Sequence, residues 1–298
     1  MKKIKHMIGL AVLFVAAGLL TAAPVSAQEK DTINFGNTTG SLDNYAFIED
    51  SIRAALEEAG YSLEETTFSD GVQPNTALAE GSSDINFFQH LQYLEAYNES
   101  NGTDLVIVEP YAYYAKFAMY SDKFESVEDI TDGATVALSN DPSNQDRALQ
   151  FLQELGLVTL VEGVEIATVL DIEDNPKNLT FTEAGNAALP TSLADVDVVV
   201  TSATHFYRAG LDANDYIEVA NDGPDFSVGF AVRAEDADAE WVQILIQAAF
   251  TQEFYDYLSE PGIYGVQFEL DEEGKAVPAT LEADTETSAE SEDESADE

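Results

Sequence analysis

Cysteine is absent from this 298-residue chain. Its absence excludes disulfides, thiolate nucleophiles, cysteine-ligated metals and lipid attachment through an N-terminal cysteine. Basic residues are scarce: 12 Lys and Arg stand against 57 Asp and Glu, for a formal net charge of −45. Such a chain has no cationic surface with which to displace counterions from a nucleic-acid backbone, and anionic membranes disfavour it. Histidine is rare as well. Beyond the N-terminal segment there are only His90 and His205, which form no metal spacing, and neither H-E-x-x-H nor G-x-S-x-G occurs. No cofactor is implied.

Long apolar runs are missing except at the start. There, MKKIKHMIGLAVLFVAAGLLTAAPVSAQEK carries a basic n-region, an apolar run from Met7 to Ala23, and Val25 and Ala27 spaced for signal peptidase. This predicts a signal peptide over 1–27 and an exported protein, periplasmic, at the cell surface or extracellular. A retained anchor is the alternative, although the run is at the short end for spanning. Aromatic residues are missing from the other end. From Asp271, DEEGKAVPATLEADTETSAESEDESADE is rich in acidic and small polar residues, which predicts a disordered acidic tail over 271–298. Calcium ligands in regular spacing are not found in it. The acidic excess as a whole suggests a solvated shell suited to high salt, where self-repulsion is screened.

Between these ends the patterning is rich. TINFGNTT reads as a strand entering a polar loop, YAFIEDSIRAALEEAGY as a helix, and YSLEETTF as a second strand. PNTALAEGSSDINFF and HLQYLEAYNESNGTDLVIVEP add helix–strand pairs. Strand, loop and helix recur in ATVALSNDPSNQDRALQFLQELGLV and in ADVDVVVTSATHFYRAGL. FSVGFAVRAED reads as a late strand and WVQILIQAAFTQEFYDYLSE as one long amphipathic helix. This cadence predicts an α/β protein of two lobes, with the chain crossing near Tyr111–Tyr120 and returning near Asn221–Ser227. The first lobe takes 31–115 plus 225–270 and the second takes 116–224. A cleft lies between them, lined by strand-end loops.

The segment SNDPSNQDRAL follows the strand pattern ATVAL and leads into a helical one. Asp141 as cap and Pro142 as first helical residue would expose N–H donors at a strand end, where an anion can sit. Arg147 stands a turn and a half further on. Its guanidinium fork matches a carboxylate, with Asn140 and Asn144 beside it. In so acidic a chain, a structural salt bridge to a neighbour such as Asp141 is the competing expectation.

DGVQPNTALAEGSSDINFFQHLQYL, SNDPSNQDRAL and VLDIEDNPKNLTFTEAGNAALPTSLADVD together resemble the ordered motifs of the NlpA/MetQ family of ABC-importer substrate-binding proteins, from about Asn34 to Val266. The resemblance implies a periplasmic-binding-protein-like fold of type II, a monomer that closes on one amino acid such as methionine, and an ABC permease with its ATPase as partners. It implies that Arg147 clamps the solute carboxylate beside Asn144, while Phe88, His90 and Tyr93 line the side-chain pocket, where aromatic walls suit a thioether.

Four departures stand out. Gly71 occupies a position often aromatic in the family. Ser202 and Val228 fall where the family carries asparagines that hold the ligand backbone, and the lipobox cysteine is missing. The carboxylate handle therefore survives while the amino handle is weakened. This opens a second expectation: a different carboxylate-bearing solute, or a short peptide. Two other classes compete with solute binding. A hydrolase would draw on His90 with Asp84, or His205 with Asp197 and Ser202, but lacks a nucleophile elbow. A surface protein would explain the tail but not the polar strand-end loops.

Overall fold

The computed structural model describes residues 31–39 and 42–280; the predicted signal peptide and residues 281–298 of the predicted tail lie outside the described residues. Along the chain, β1 (Thr32–Thr38), α1 (Leu42–Glu58), β2 (Ser62–Phe68), α2 (Gln73–Ala79), β3 (Ile85–Asn86), α3 (Leu91–Asn101) and β4 (Leu105–Ile107) come first. The chain crosses through β5 (Tyr113–Ala115) into β6 (Phe117–Tyr120). Next come β7 (Thr135–Ser139), α4 (Pro142–Glu154), β8 (Thr159–Leu160), β9 (Ile172–Asp174) and β10 (Thr180–Ala184). They are followed by α5 (Leu189–Ser192), β11 (Val198–Ser202), α6 (Ala203–Arg208) and β12 (Glu218–Val219). The chain returns in β13 (Ala231–Arg233) and ends in α7 (Glu240–Ala249), α8 (Gln252–Ser259), β14 (Tyr264–Val266), β15 (Phe268–Leu270) and β16 (Ala276–Pro278).

The strands sort into two five-stranded sheets, in the orders β2-β1-β3-β13-β4 and β10-β7-β11-β6-β12. In each, the first three strands are parallel, while the fourth, which the chain enters on crossing from the other sheet, runs antiparallel to its neighbours. The two sheets thus repeat one plan, and the fold is a two-domain α/β arrangement consistent with periplasmic-binding-protein type II topology. Runs such as FAMY in β6 are buried throughout, as strands covered on both faces must be. One core joins the first sheet to α1, α7 and α8 through Ile52, Phe230, Leu245 and Phe254. The second sheet has separate clusters, one around Leu149, Leu152 and Val198, the other around Tyr120, Val199 and Phe206.

The outgoing and returning crossings meet at Tyr114. A Cβ on Gly223 would lie 2.2 Å from its ring and one on Gly265 of β14 would lie 2.1 Å away, so glycine is what allows the return crossing and β14 to close on it.

Two expectations change. The predicted long helix divides into α7 and α8, because the Thr251 hydroxyl caps a new helix by accepting the Phe254 N–H at 3.2 Å. The chain also stays folded past Asp271. Its carboxylate accepts the Glu273 and Lys275 N–H groups in a turn that sends β16 back along β15, and Gln247 clasps the Ala276 backbone through both N–H and C=O.

Candidate functional site at the strand ends

Parallel strands deliver their following loops to one end of each sheet, where ligand crevices form. Phe88 and His90 follow β3, Asn140, Asn144 and Arg147 follow β7, and Ser202 ends β11.

The loop after β3 is fixed by buried amides. Asn75 and Gln89 exchange two hydrogen bonds of 2.7 Å, and Asn86 donates to Asn75 at 3.0 Å while accepting from Gln89 at 2.9 Å. All three side chains are buried, and the ring of amides leaves their polarity satisfied. Much of the P-N…D-x-N-x-F-Q motif is therefore scaffolding. It holds the turn that presents Phe88 and His90.

His90 caps α3, its Nδ1 accepting the Tyr93 N–H at 3.1 Å, while its Nε2 lies 3.4 Å from Asn144 Oδ1 on α4. With Nδ1 accepting, Nε2 carries the proton and donates to Asn144. Burial, reinforced by the Arg147 charge, lowers the imidazole pKa to about 4, so the ring is neutral at ordinary pH. Tyr93 stands edge-on to both Phe88 and His90, with centroids 6.0 and 6.2 Å away. Its hydroxyl lies where a side chain on Gly71 would begin, 2.7 Å from an added Cβ. The wall removed by glycine is filled by Tyr93, whose hydroxyl pKa burial pushes up to about 12.

On the second sheet, Asp141 caps α4 as its position predicted, accepting the Asn144 N–H at 2.9 Å with Pro142 in the first turn. Its carboxylate also receives Ser139 Oγ, Asn144 Nδ2 and Asn186 Nδ2. The anion at this helix terminus is thus the chain's own. Arg147 does form the salt bridge of the competing expectation, but with a carboxylate other than Asp141.

That partner is Asp222, 75 residues away. Arg147 Nε donates to Asp222 Oδ2 at 2.8 Å and Nη2 to Oδ1 at 2.7 Å, a bidentate pair along one edge of the guanidinium. The Arg147 side chain is 3% exposed and that of Asp222 24%. Phe226 covers one face of the guanidinium at 3.7 Å and Phe117 lies 4.4 Å away. Burial pulls the guanidinium pKa below its ordinary value, an effect Asp222 opposes. Phe226 also meets the His90 ring, centroids 5.1 Å apart, so one phenyl touches residues from both sheets.

Phe88, His90, Tyr93, Asn144 and Arg147 therefore form one cluster. The remaining predicted residues stand differently. Ser202 caps α6, its Oγ 2.6 Å from Thr204 Oγ1, and pairs across the ladder with Phe117. Val228 packs its side chain into the first core, while its backbone bonds to Ala112 and Tyr113. Asn140 is exposed, its N–H donating to Ala184 O at 3.0 Å. Asp222, Phe226 and Phe117 were not singled out in the sequence. The signal was the NDGPDF segment at the return crossing, but one Asp among 57 acidic residues does not stand out. Neither hydrolytic arrangement assembles: Asp84 holds Arg233 and Asn34, and Asp197 holds Lys123 and the Thr135 N–H.

A family model described as NlpA lipoprotein matches residues 34–268. The chain is 36% identical over 245 residues to the D-methionine-binding lipoprotein MetQ of Salmonella typhi, covering 80% of this chain and 89% of that protein. It is 34% identical over 239 residues to outer membrane lipoprotein 1 of Mannheimia haemolytica, covering 79% and 84%. Among solved structures, a nutrient binding protein from Burkholderia cenocepacia bound to methionine aligns with a TM-score of 0.71 at 34% identity, over 79% of this chain and 100% of that one.

Proposed function

The chain belongs to the NlpA lipoprotein family, and from that membership we propose that it captures methionine or a related amino acid for an ABC importer. The family consists of exported, non-catalytic solute-binding proteins, so the protein works in the periplasm or outside the cell and is not an enzyme. Its partners are an ABC permease and, through it, an ATPase. With no cysteine in the chain, a cysteine-linked lipid does not hold it to the membrane.

The observation that carries this proposal is the convergence of Arg147, Asn144, His90, Tyr93 and Phe88 where strand ends of both sheets meet. Arg147 takes the solute carboxylate. Because Asp222 holds its Nε and Nη2, the carboxylate is received on Nη1, which has no hydrogen-bond partner among the described residues. The aromatic wall takes the side chain. The lobes, 31–115 with 225–270 and 116–224, open and close about the two crossing segments as a monomer. Solute shifts that equilibrium toward the closed surface that the permease reads.

A thermal-unfolding screen of the mature protein with L- and D-methionine, other amino acids and organic acids tests this. A ligand that binds the folded state alone raises its apparent stability by mass action. Methionine or a near relative is expected to give the largest rise; no rise with any member of the panel contradicts solute capture. A second reading, a different carboxylate-bearing solute or a short peptide, rests on Ser202 and Val228, neither of which offers the amide of an asparagine. It predicts a rise with organic acids or peptides and none with methionine.

A further inference from the structure

Arg147 and Asp222 cancel in charge. His90 beside them is neutral, and the neighbouring ionised groups, Asp141 and Asp225, are acidic. A plain carboxylate arriving here meets no net positive field, and its attraction to the guanidinium is offset by repulsion from Asp222. A zwitterion meets a different situation. It carries no net charge, and its adjacent ammonium and carboxylate mirror the adjacent carboxylate and guanidinium of the pair.

The edges of the pair fit that match. Asp222 occupies the Nε and Nη2 side of Arg147, leaving Nη1 without a hydrogen-bond partner among the described residues. A guanidinium offers five N–H donors, and two of them suffice for Asp222. The Asp222 side chain keeps 24% of its surface, whereas that of Arg147 keeps 3%, so the carboxylate is the more accessible member. Each carboxylate oxygen accepts one hydrogen bond from Arg147 and has capacity for another. Amide oxygens for an ammonium are lacking at the two expected places: the Ser202 hydroxyl is engaged with Thr204, and the Val228 side chain lies in the core.

We propose that Asp222 is the ammonium-recognising residue of this site: while paired with Arg147, its carboxylate receives the α-ammonium of an amino acid whose own carboxylate lies on Arg147 Nη1. This rests on the solute-binding reading above and narrows its ligand class to zwitterionic α-amino acids. It also assigns the role of the two absent asparagines to a carboxylate from the return crossing.

The test compares L-methionine with its desamino analogue, methylthiobutanoate, by calorimetric titration of wild type and Asp222→Asn. Wild type is expected to bind methionine at least about tenfold more tightly than the analogue, the scale of one charge-assisted hydrogen bond. Asp222→Asn keeps the shape of the side chain and is expected to shrink that preference at least about tenfold by weakening methionine alone. Equal affinity of wild type for the two compounds overturns the proposal without needing the variant to fold, and leaves carboxylate capture standing. A gain in affinity for both compounds in Asp222→Asn also overturns it, identifying Asp222 as an internal competitor for Arg147. Failure of wild type to bind any amino acid removes the amino-acid reading, and this proposal with it.

Discussion

A partly buried arginine, Arg233, and a buried one, Arg147, each pair with an aspartate and end in different states. Arg233 donates from Nη1 to the carbonyls of Leu78 and Ser83, from Nη2 to Asp84 at 2.9 Å, and pairs with Asp236 at 2.6 Å, with Glu235 3.9 Å from Nε. Both terminal nitrogens bond protein oxygens, and the Asp84 side chain is 5% exposed. Arg147 is more deeply buried, yet one carboxylate and two aromatic rings account for its contacts. An arginine that only ties elements together spends both terminal nitrogens on protein. One that leaves Nη1 over at a junction of two sheets retains a donor for something else.

That contrast is most directly broken by removing each cation. Arg233→Met takes the cation away from the buried Asp84 carboxylate, and should destabilise the protein by about 3–5 kcal/mol in denaturant unfolding. Arg147→Met should destabilise it less, because the Asp222 carboxylate is already partly hydrated. Equal losses would erase the distinction.

Arg147→Lys sharpens it. The charge remains but the planar fork and its contacts with the Phe226 and Phe117 rings are lost, so methionine affinity should fall at least about tenfold by calorimetry. The corresponding Arg233→Lys change should lower stability and leave affinity within about twofold. Unchanged binding in Arg147→Lys would make that arginine structural as well.

The His90 bridge has a predicted pH signature. Its pKa in the folded protein, about 4, lies below the ordinary imidazole value of 6.5, so the unfolded chain takes up the proton first as pH falls. The stabilisation from its cap and its Asn144 contact is present above about pH 6.5 and is lost as pH falls toward about 4. The stability difference between wild type and His90→Gln should shrink across that window, and the imidazole resonances of His90 should titrate near its lower end. Titration near 6.5 in the folded protein would contradict the buried, neutral bridge.

The smallest effect is expected from Ser202→Asn. Asparagine is also a good helix cap, so α6 should persist. The new amide should raise methionine affinity by a few-fold at most, roughly the share of one neutral hydrogen bond. A tenfold gain would mean that Ser202, rather than the Arg147–Asp222 pair, limits recognition.

Legibility in the sequence followed range. Local rules revealed the strands and helices and the Asp141 cap, because each depends on residues within a turn or two of one another. The order of motifs revealed the family. What escaped is pairing across the chain: Asp222 on Arg147, the Tyr93 hydroxyl over Gly71, and the Asn75–Asn86–Gln89 ring. The break between α7 and α8 was missed because apolar spacing continues through Phe250, and only Thr251 marks the new start. Composition misled at the other end, where the acidic turn after Asp271 conceals Ala276, buried against the first core.

The central claim, that solute is gripped at Arg147 between the two sheets, is tested most directly by a crystal structure of the mature chain with L-methionine. The predicted result is a ligand carboxylate within hydrogen-bonding distance of Arg147 Nη1, the side chain against Phe88 and Tyr93, and Asp222 still paired. Methionine bound with no contact to that guanidinium would contradict it.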